Sequence, residues 1–202
     1  MTDLTLHYAI PSRGFVTHWL LEELGQPFER RILDFDKEEQ KTPEFLALNP
    51  MGKVPVLVHG DRVVTETNAI CLYLAEQFPA AGLNVPVDSP LRGDFLKWMF
   101  FSPATIEPAL VGAAFGFTAK DYEPFPKVET VADVLRQAVA GREFVVGDTF
   151  TAADVVIGSA LNWGLTLMPV LPKHPEFLEY WGRLQQRPAW QAVLATFPAA
   201  AG

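Results

Sequence analysis

The chain has 202 residues, of which 49% are hydrophobic and 20% charged, so it is long and apolar enough to bury a large core. Its net charge of −8 argues against a nucleic-acid partner or an anionic membrane surface, because both need a basic face. The single cysteine, Cys71, excludes an internal disulfide, and from the sequence we expect a cytoplasmic protein with neither a leader sequence nor a membrane segment.

The first 79 residues alternate short β-like runs with helical patterns. The predicted strands are 4–9, 28–33, 54–58 and 63–65, and the predicted helices are 12–24, a short helix from 42, and 66–78. The order β-α-β-α-β-β-α begins with a right-handed crossover between parallel strands. Residues 1–79 are therefore predicted to form an α/β domain.

The remainder of the chain has helical periodicity only. Residues 80–87 carry Gly82 and Pro86 without periodicity and are predicted to be a linker. We expect an all-helical domain over 88–202, with helices at 91–115, 126–140, 151–167, 175–186 and 188–196. The overall prediction is an α/β domain followed by an all-α domain.

Two segments carry the most specific chemical signal, N-P-M-G-K-V-P-V-L over 49–57 and T-E-T-N-A-I-C-L-Y-L over 65–74. A proline such as Pro55 at the start of a strand is reasonable if the Val54–Pro55 bond is cis, which would turn the Val54 backbone outward to pair with an extended peptide. Glu66 and Thr67 begin a helix, whose N-terminus suits a carboxylate, while the Glu66 side chain can hold an ammonium group. Both residues could alternatively be ordinary capping residues.

Together these segments resemble the glutathione-site signature of the glutathione transferase superfamily. Three further stretches are similar to the family's first helix, its second helix and a helix start in its C-terminal domain: W-L-L-E-E-L-G at 19–25, P-E-F-L at 43–46 and F-T-A-A-D at 150–154. The resemblance implies a thioredoxin-like N-terminal domain, an all-helical C-terminal domain, a role in detoxification and a homodimer. We expect glutathione as co-substrate and a small hydrophobic electrophile as the second substrate.

The resemblance offers two hydroxyls that could activate the glutathione thiol. Tyr8 ends the first strand, where tyrosine-type classes carry theirs, whereas Ser12 lies at the expected start of the first helix. The loop I-P-S-R-G at 10–14 is more similar to that of serine-type classes, although Val16 stands where many of these have arginine. We favour Ser12, with a plain helix cap as its alternative role.

Other site residues follow from the same resemblance. Lys41 and Lys53 match positions that bind the glycine carboxylate of glutathione, although either could be an ordinary solvated lysine. Phe101 and Phe115 are expected to line the pocket for the electrophile. The four histidines show no ligand spacing, so no metal site is predicted.

The expected reaction is conjugation of the glutathione thiolate to an electrophilic carbon. Alternatives with the same fold are a glutathione-dependent isomerase, a peroxidase, a disulfide reductase or a non-catalytic ligand-binding protein. Thr151 and Asp154 have the spacing of a capping box and are assigned to structure, and Cys71 is predicted to be a core thiol.

Overall fold

A computed structural model describes residues 3–117 and 126–197. By its internal contacts the chain divides into two compact units, Met1–Asn84 together with Pro188–Gly202, and Val85–Arg187. The first division falls inside the predicted linker, 80–87. The second cut, before Pro188, has no counterpart in the sequence prediction.

The first unit is built on a four-stranded sheet with the order β2-β1-β3-β4. β1 is parallel to β2 and antiparallel to β3, and β3 is antiparallel to β4. The strands are β1 (Leu4–Tyr8), β2 (Glu29–Ile32), β3 (Val56–His59) and β4 (Arg62–Thr65), and the helices are α1 (Gly14–Leu24), α2 (Pro43–Leu48) and α3 (Thr67–Gln77). The predicted order β-α-β-α-β-β-α and the thioredoxin-like fold are confirmed.

Successive side chains of β1 point to opposite faces of this sheet. Leu4, Leu6 and Tyr8 are buried on one face, where the Tyr8 ring lies 5.4 Å from the ring of His18 on α1. On the other face His7 lies 6.2 Å from Phe45 of α2. The sheet is thus covered by helices on both faces.

Helix α3 contributes Cys71 to the core of the same unit. The side chain is fully buried, and burial raises the pKa of its thiol to about 12. Cys71 is therefore the packed core thiol that its apolar helical neighbours predicted.

A last helix, α9 (Pro188–Leu194), packs on α1 rather than joining the helical domain. The Trp190 ring meets Trp19 edge-on at 5.1 Å and Phe15 at 6.0 Å, and Trp190 is 4% exposed. Residues 188–196 were predicted as part of the helical domain, because periodicity identifies a helix but not its packing partner.

The second unit consists of helices, as predicted. They are α4 (Arg92–Phe101), α5 (Glu107–Phe115), α6 (Val128–Val139), α7 (Ala152–Asn162) and α8 (Pro175–Leu184). The predicted helix 91–115 is continuous but contains a π-helical turn, Ser102–Ile106, in which the amide of Glu107 donates to the carbonyl of Ser102. Pro103 lies in this turn, where its missing N–H accounts for the altered hydrogen-bond pattern.

Asp154 stabilises the start of α7. Its Oδ2 accepts from the amide of Thr151 at 2.8 Å, and the Thr151 side chain accepts from the Asp154 amide, which completes the predicted capping box. Its Oδ1 accepts from the amide of Val145 at 2.7 Å and from the hydroxyl of Tyr180 at 2.6 Å. Burial raises the pKa of this carboxyl, whereas the hydrogen bonds favour its charged form.

Candidate functional site

Three chain segments converge at one end of the sheet. His7, near the end of β1, pairs with Val56 at the start of β3, and Val56 pairs with Thr65 at the end of β4. The loop that follows β1, the segment that precedes β3 and the segment that follows β4 therefore leave the sheet side by side. These are the segments that carry Ser12, Val54–Pro55 and Glu66–Thr67.

The loop after β1 presents a partly exposed hydroxyl. Ser12 Oγ accepts hydrogen bonds from the amides of Gly14 at 3.1 Å and Ala9 at 3.4 Å. No described residue accepts its proton, so the hydroxyl can donate to a ligand, and the two bonds that it accepts strengthen it as a donor. The helix α1 begins at Gly14 with Arg13 as the N-cap residue, two positions later than predicted, and Ser12 Oγ accepts from the amide of its first residue.

Gly14 is the reason that α1 can begin this close to the sheet. A Cβ at this position would lie 2.4 Å from the Cβ of Tyr8, a distance that real atoms do not reach. The glycine therefore brings the start of the helix against the end of β1 and fixes the loop that carries Ser12. This role of Gly14 was not predicted, although a glycine between a strand and a helix is the signal that could have revealed it.

The second candidate hydroxyl lies in the core. Tyr8 is 1% exposed, and its hydroxyl is buried without a hydrogen-bond partner among the residues that the structure describes. Its ring packs against His18. Burial lowers the pKa of His18, opposed by the hydrogen bond with Glu22.

The turn before β3 is held by Asn49. Its Nδ2 donates to the carbonyl of Lys53 at 2.8 Å, and its Oδ1 accepts from the amide of Met51 at 3.1 Å. Gly52 has a φ of +60°, and a Cβ there would lie 3.1 Å from the carbonyl of Gln40, so the turn needs glycine. The motif over 49–57 was recognised from the sequence, but this role of Asn49 was not.

The Val54–Pro55 bond is cis, as expected. Val54 is half-buried, and its backbone forms no hydrogen bond with any residue in the described parts of the chain. The pairing of β3 begins only at Val56. The N–H and C=O of Val54 are therefore open to an extended peptide that adds to this end of the sheet.

Glu66 has an unusual backbone conformation, with φ 69° and ψ 117°. A positive φ is costly for a residue with a side chain, and such strain concentrates at functional sites. The Glu66 side chain is exposed and does not cap α3, while the amide of Thr67, the first residue of that helix, has no described protein partner. The helix N-terminus is thus open to an anion.

The two predicted lysines differ in their surroundings. Lys53 is exposed and forms no ion pair within the described residues, whereas Lys41 pairs with Glu38. Lys41 ends a short 3₁₀ helix, Glu39–Lys41, and Thr42 then caps α2. Lys41 therefore lies immediately before the second helix.

The two predicted pocket residues belong to the second unit. Phe101, at the end of α4, packs edge-on against Trp98 at 5.3 Å, and Phe115, at the end of α5, is 64% exposed and stacks on Phe117 at 5.7 Å. Over residues 3–117 and 126–197, no group of three or more potential metal ligands occurs, and no helix is long and apolar enough to cross a membrane.

Comparison with known proteins identifies the family. Residues 3–76 match the glutathione S-transferase N-terminal domain, and residues 98–188 match the glutathione S-transferase C-terminal domain. Glutathione S-transferase 2 of Schizosaccharomyces pombe is 30% identical over 203 residues, covering 88% of this chain and 86% of the relative. Glutathione S-transferase F10 of Arabidopsis thaliana is 28% identical, covering 94% of each chain.

A solved structure has the same fold. The glutathione transferase URE2P8 of Phanerochaete chrysosporium, crystallised with oxidised glutathione, superimposes with a TM-score of 0.80 at 25% identity, covering 96% of this chain and 95% of the other. Both domains are matched in order, and a relative at 30% identity spans most of the chain. The chain therefore belongs to the glutathione S-transferase family.

Proposed function

We propose that this protein binds glutathione at the end of the sheet and conjugates its thiolate to small hydrophobic electrophiles. The observation that carries the proposal is the backbone of Val54, which no described residue hydrogen bonds, at the same end of the sheet as the N-terminus of α3 and the Ser12 hydroxyl. The relatives are named as glutathione S-transferases, and URE2P8 holds oxidised glutathione.

Each part of the tripeptide has a partner in the first unit. The cysteinyl backbone pairs with the N–H and C=O of Val54, next to Pro55, as an added strand. The γ-glutamyl carboxylate takes the amide of Thr67 at the positive end of α3, and the γ-glutamyl ammonium takes the carboxylate of Glu66. The glycine carboxylate is left for the lysines: Lys53 has no ion partner among the described residues, and Lys41 is shared with Glu38.

Ser12 is the hydroxyl that we assign to thiol activation. A free thiol has a pKa of about 8.5, and lowering it by about two units corresponds to roughly 2.7 kcal/mol of selective thiolate stabilisation. The Ser12 proton is available to a sulfur, and the N-terminus of α1 adds its dipole. Tyr8 is the weaker candidate because its hydroxyl is buried, so a ligand would reach it only after a rearrangement.

Three further features are proposed from the resemblance to the family. Phe101 and Phe115 supply apolar surface for the electrophile, and the protein acts in the cytoplasm as a homodimer. The exposure of Phe115 supports its role in binding the electrophile, because a largely exposed aromatic ring is what an apolar ligand would cover.

The proposal is tested by measuring glutathione affinity by calorimetry and turnover of glutathione with an aryl halide. Glu66→Gln should weaken glutathione binding about tenfold or more, because it removes the charge that pairs with the ammonium group. Glu44→Gln is the matched control, since Glu44 is an exposed glutamate in the first turn of α2. Absence of glutathione binding would reject the proposal, whereas binding without aryl-halide turnover would reject conjugation and direct the assay to peroxides and mixed disulfides.

A further inference from the structure

A second cluster of polar side chains lies at the opposite end of the same sheet. His59 ends β3, and it pairs with Leu4 at the start of β1 and with Arg62 at the start of β4. The side chains of Asp3, His59, Arg62 and Tyr73 meet there. Because the candidate glutathione site occupies the other end of these strands, this cluster takes no part in it.

The cluster is a connected chain of hydrogen bonds and charges. His59 Nδ1 lies 2.9 Å from the Tyr73 hydroxyl, and His59 Nε2 lies 3.5 Å from Asp3 Oδ2. The Arg62 guanidinium also hydrogen bonds to Tyr73, which raises the pKa of Arg62. The Phe78 ring lies nearly parallel to the imidazole at 5.9 Å, so His59 is held between aromatic side chains at 16% exposure.

This arrangement gives each group one role in moving a proton. Arg62 has only donors, so the Tyr73 oxygen accepts from it, and the Tyr73 hydroxyl donates to His59 Nδ1 in the tautomer whose Nε2–H faces the Asp3 carboxylate. The neutral imidazole that accepts at Nδ1 carries its own proton on Nε2, which faces the Asp3 carboxylate. Asp3 therefore stabilises the imidazolium that forms when His59 takes the Tyr73 proton, as a carboxylate does for a histidine base beside a hydroxyl nucleophile.

We propose that Tyr73 is a nucleophilic phenol and a site of covalent modification by acyl, phosphoryl or sulfonyl electrophiles, with His59 as its base. In the reaction with a sulfonyl fluoride, the Tyr73 oxygen forms a bond to sulfur, the sulfur–fluorine bond breaks and fluoride leaves. The phenol proton passes to His59 Nδ1, and Arg62 stabilises the negative charge that develops on the oxygen. A phenol oxygen is a hard nucleophile, so this chemistry complements that of a thiolate.

Two other tyrosines in the described chain serve as internal comparisons. Tyr8 is 1% exposed, and Tyr180 is fully buried with its hydroxyl bonded to Asp154. Neither is accessible to a reagent in the folded protein. Tyr73 is partly exposed and has a base and a cation on its oxygen.

The experiment uses the full-length protein with phenylmethanesulfonyl fluoride near neutral pH, and peptide mass spectrometry locates and times the adduct. Tyr73 should react at least tenfold faster than N-acetyltyrosine amide, since general-base assistance contributes roughly a factor of 10²–10⁴ in favourable sites. Tyr73→Phe should abolish the adduct without changing glutathione turnover. His59→Gln should reduce the rate at least tenfold.

A second pair of variants covers the case in which His59→Gln fails to fold. Asp3→Asn changes a side chain that is 71% exposed and should slow labelling severalfold, whereas Asp61→Asn, which changes a charge beside Arg62, should not. The proposal would be overturned if Tyr73 reacted no faster than N-acetyltyrosine amide, or if Tyr73 were labelled at the same rate in the wild type and in Asp3→Asn.

Discussion

Ser12 and Tyr8 are four positions apart, yet their hydroxyls lie in different environments. The side chain of Tyr8 follows the alternation of β1 into the core, whereas Ser12 comes after the strand has ended and its oxygen is held by the amides of Ala9 and Gly14. From the sequence alone, both residues are identified only as lying near the end of a strand. Only the close approach of α1 at Gly14 determines which hydroxyl stays accessible.

Replacement of Ser12 by alanine tests thiol activation directly. We expect Ser12→Ala to raise the pKa of bound glutathione and to lower kcat/KM about 10- to 100-fold near neutral pH, since each unit of pKa changes the thiolate fraction about tenfold. The deficit should shrink at alkaline pH, where the thiol ionises unaided. Glutathione affinity should change little, because the two ends of the tripeptide keep their partners.

Tyr8→Phe is the control for this experiment, since it removes only the rival hydroxyl. The thiol pKa is read from the absorbance of the thiolate in both variants. A shift with Tyr8→Phe and none with Ser12→Ala would show that the serine assignment is wrong.

His18 predicts a dependence of stability on pH. Burial lowers its pKa from the ordinary value of 6.5, opposed by Glu22 and assisted by the charge of Arg30. Between the lowered pKa and about 6.5, the unfolded chain therefore binds a proton that the folded protein does not. The free energy of unfolding is thus at its full value above pH of about 6.5 and decreases as pH falls towards the lowered pKa. Urea unfolding at a series of pH values should show this loss, and a smaller one in His18→Gln. Burial also lowers the pKa of His7, so part of the dependence of stability on pH should remain in the His18→Gln variant.

At the scale of secondary-structure elements, the start of α7 depends on more than a local cap. The capping box alone would be worth about 1 kcal/mol. In the structure, the Asp154 carboxylate also joins the segment at Val145 and the helix that carries Tyr180. A sequence motif of four residues predicts the box, but it cannot predict partners that are 9 and 26 positions away.

We therefore expect unequal costs for the two residues of the box. Thr151→Ala should lower the free energy of unfolding by about 1 kcal/mol, and by up to about 2. Asp154→Ala should lower it by roughly 3–5 kcal/mol, because it leaves several buried donors without an acceptor. Denaturant unfolding of the single variants and the double variant measures both costs and their coupling, and equal costs for the two single variants would contradict the extended role of Asp154.

Helix α9 gives a prediction about the first unit. Trp190→Ala should lower its free energy of unfolding by roughly 3–5 kcal/mol, because the indole is buried against Trp19 and Phe15. Leu194→Ala, in the same helix at a side chain that is 42% exposed, is the matched control and should cost much less. Equal losses in urea unfolding would mean that the Trp190 contacts contribute little.

The elements show what the sequence could and could not predict. Periodicity and turn residues predicted the order of strands and helices, and Pro43 predicted the first turn of α2. The start of α1 was predicted two residues early because serine favours helix starts, whereas the helix begins at Gly14, whose amide donates to Ser12 Oγ. The strained backbone of Glu66 was not predicted, because no residue preference indicates a positive φ at a glutamate.

At the scale of the whole molecule, the order of segments along the chain differs from the order of compact units. The chain leaves the first unit at Asn84 and returns to it at Pro188, so the second unit is an insertion between α3 and α9. All the groups proposed to hold glutathione, including Ser12, Val54 and Glu66, belong to the first unit. Binding of glutathione should therefore stabilise that unit directly.

Thermal unfolding with and without glutathione tests this expectation. At a concentration 100 times Kd, a ligand that binds only the folded state adds about 2.7 kcal/mol, or a rise in Tm of roughly 5–10 °C for a chain of this size. If the two units unfold in separate transitions, the transition of the first unit should shift.

S-methylglutathione should give a similar shift in the wild type, and Ser12→Ala should keep the shift with glutathione, because sulfur activation is separate from recognition of the tripeptide ends. Glu66→Gln should reduce it. A shift that Ser12→Ala abolishes and Glu66→Gln leaves intact would reverse the roles assigned to the two residues.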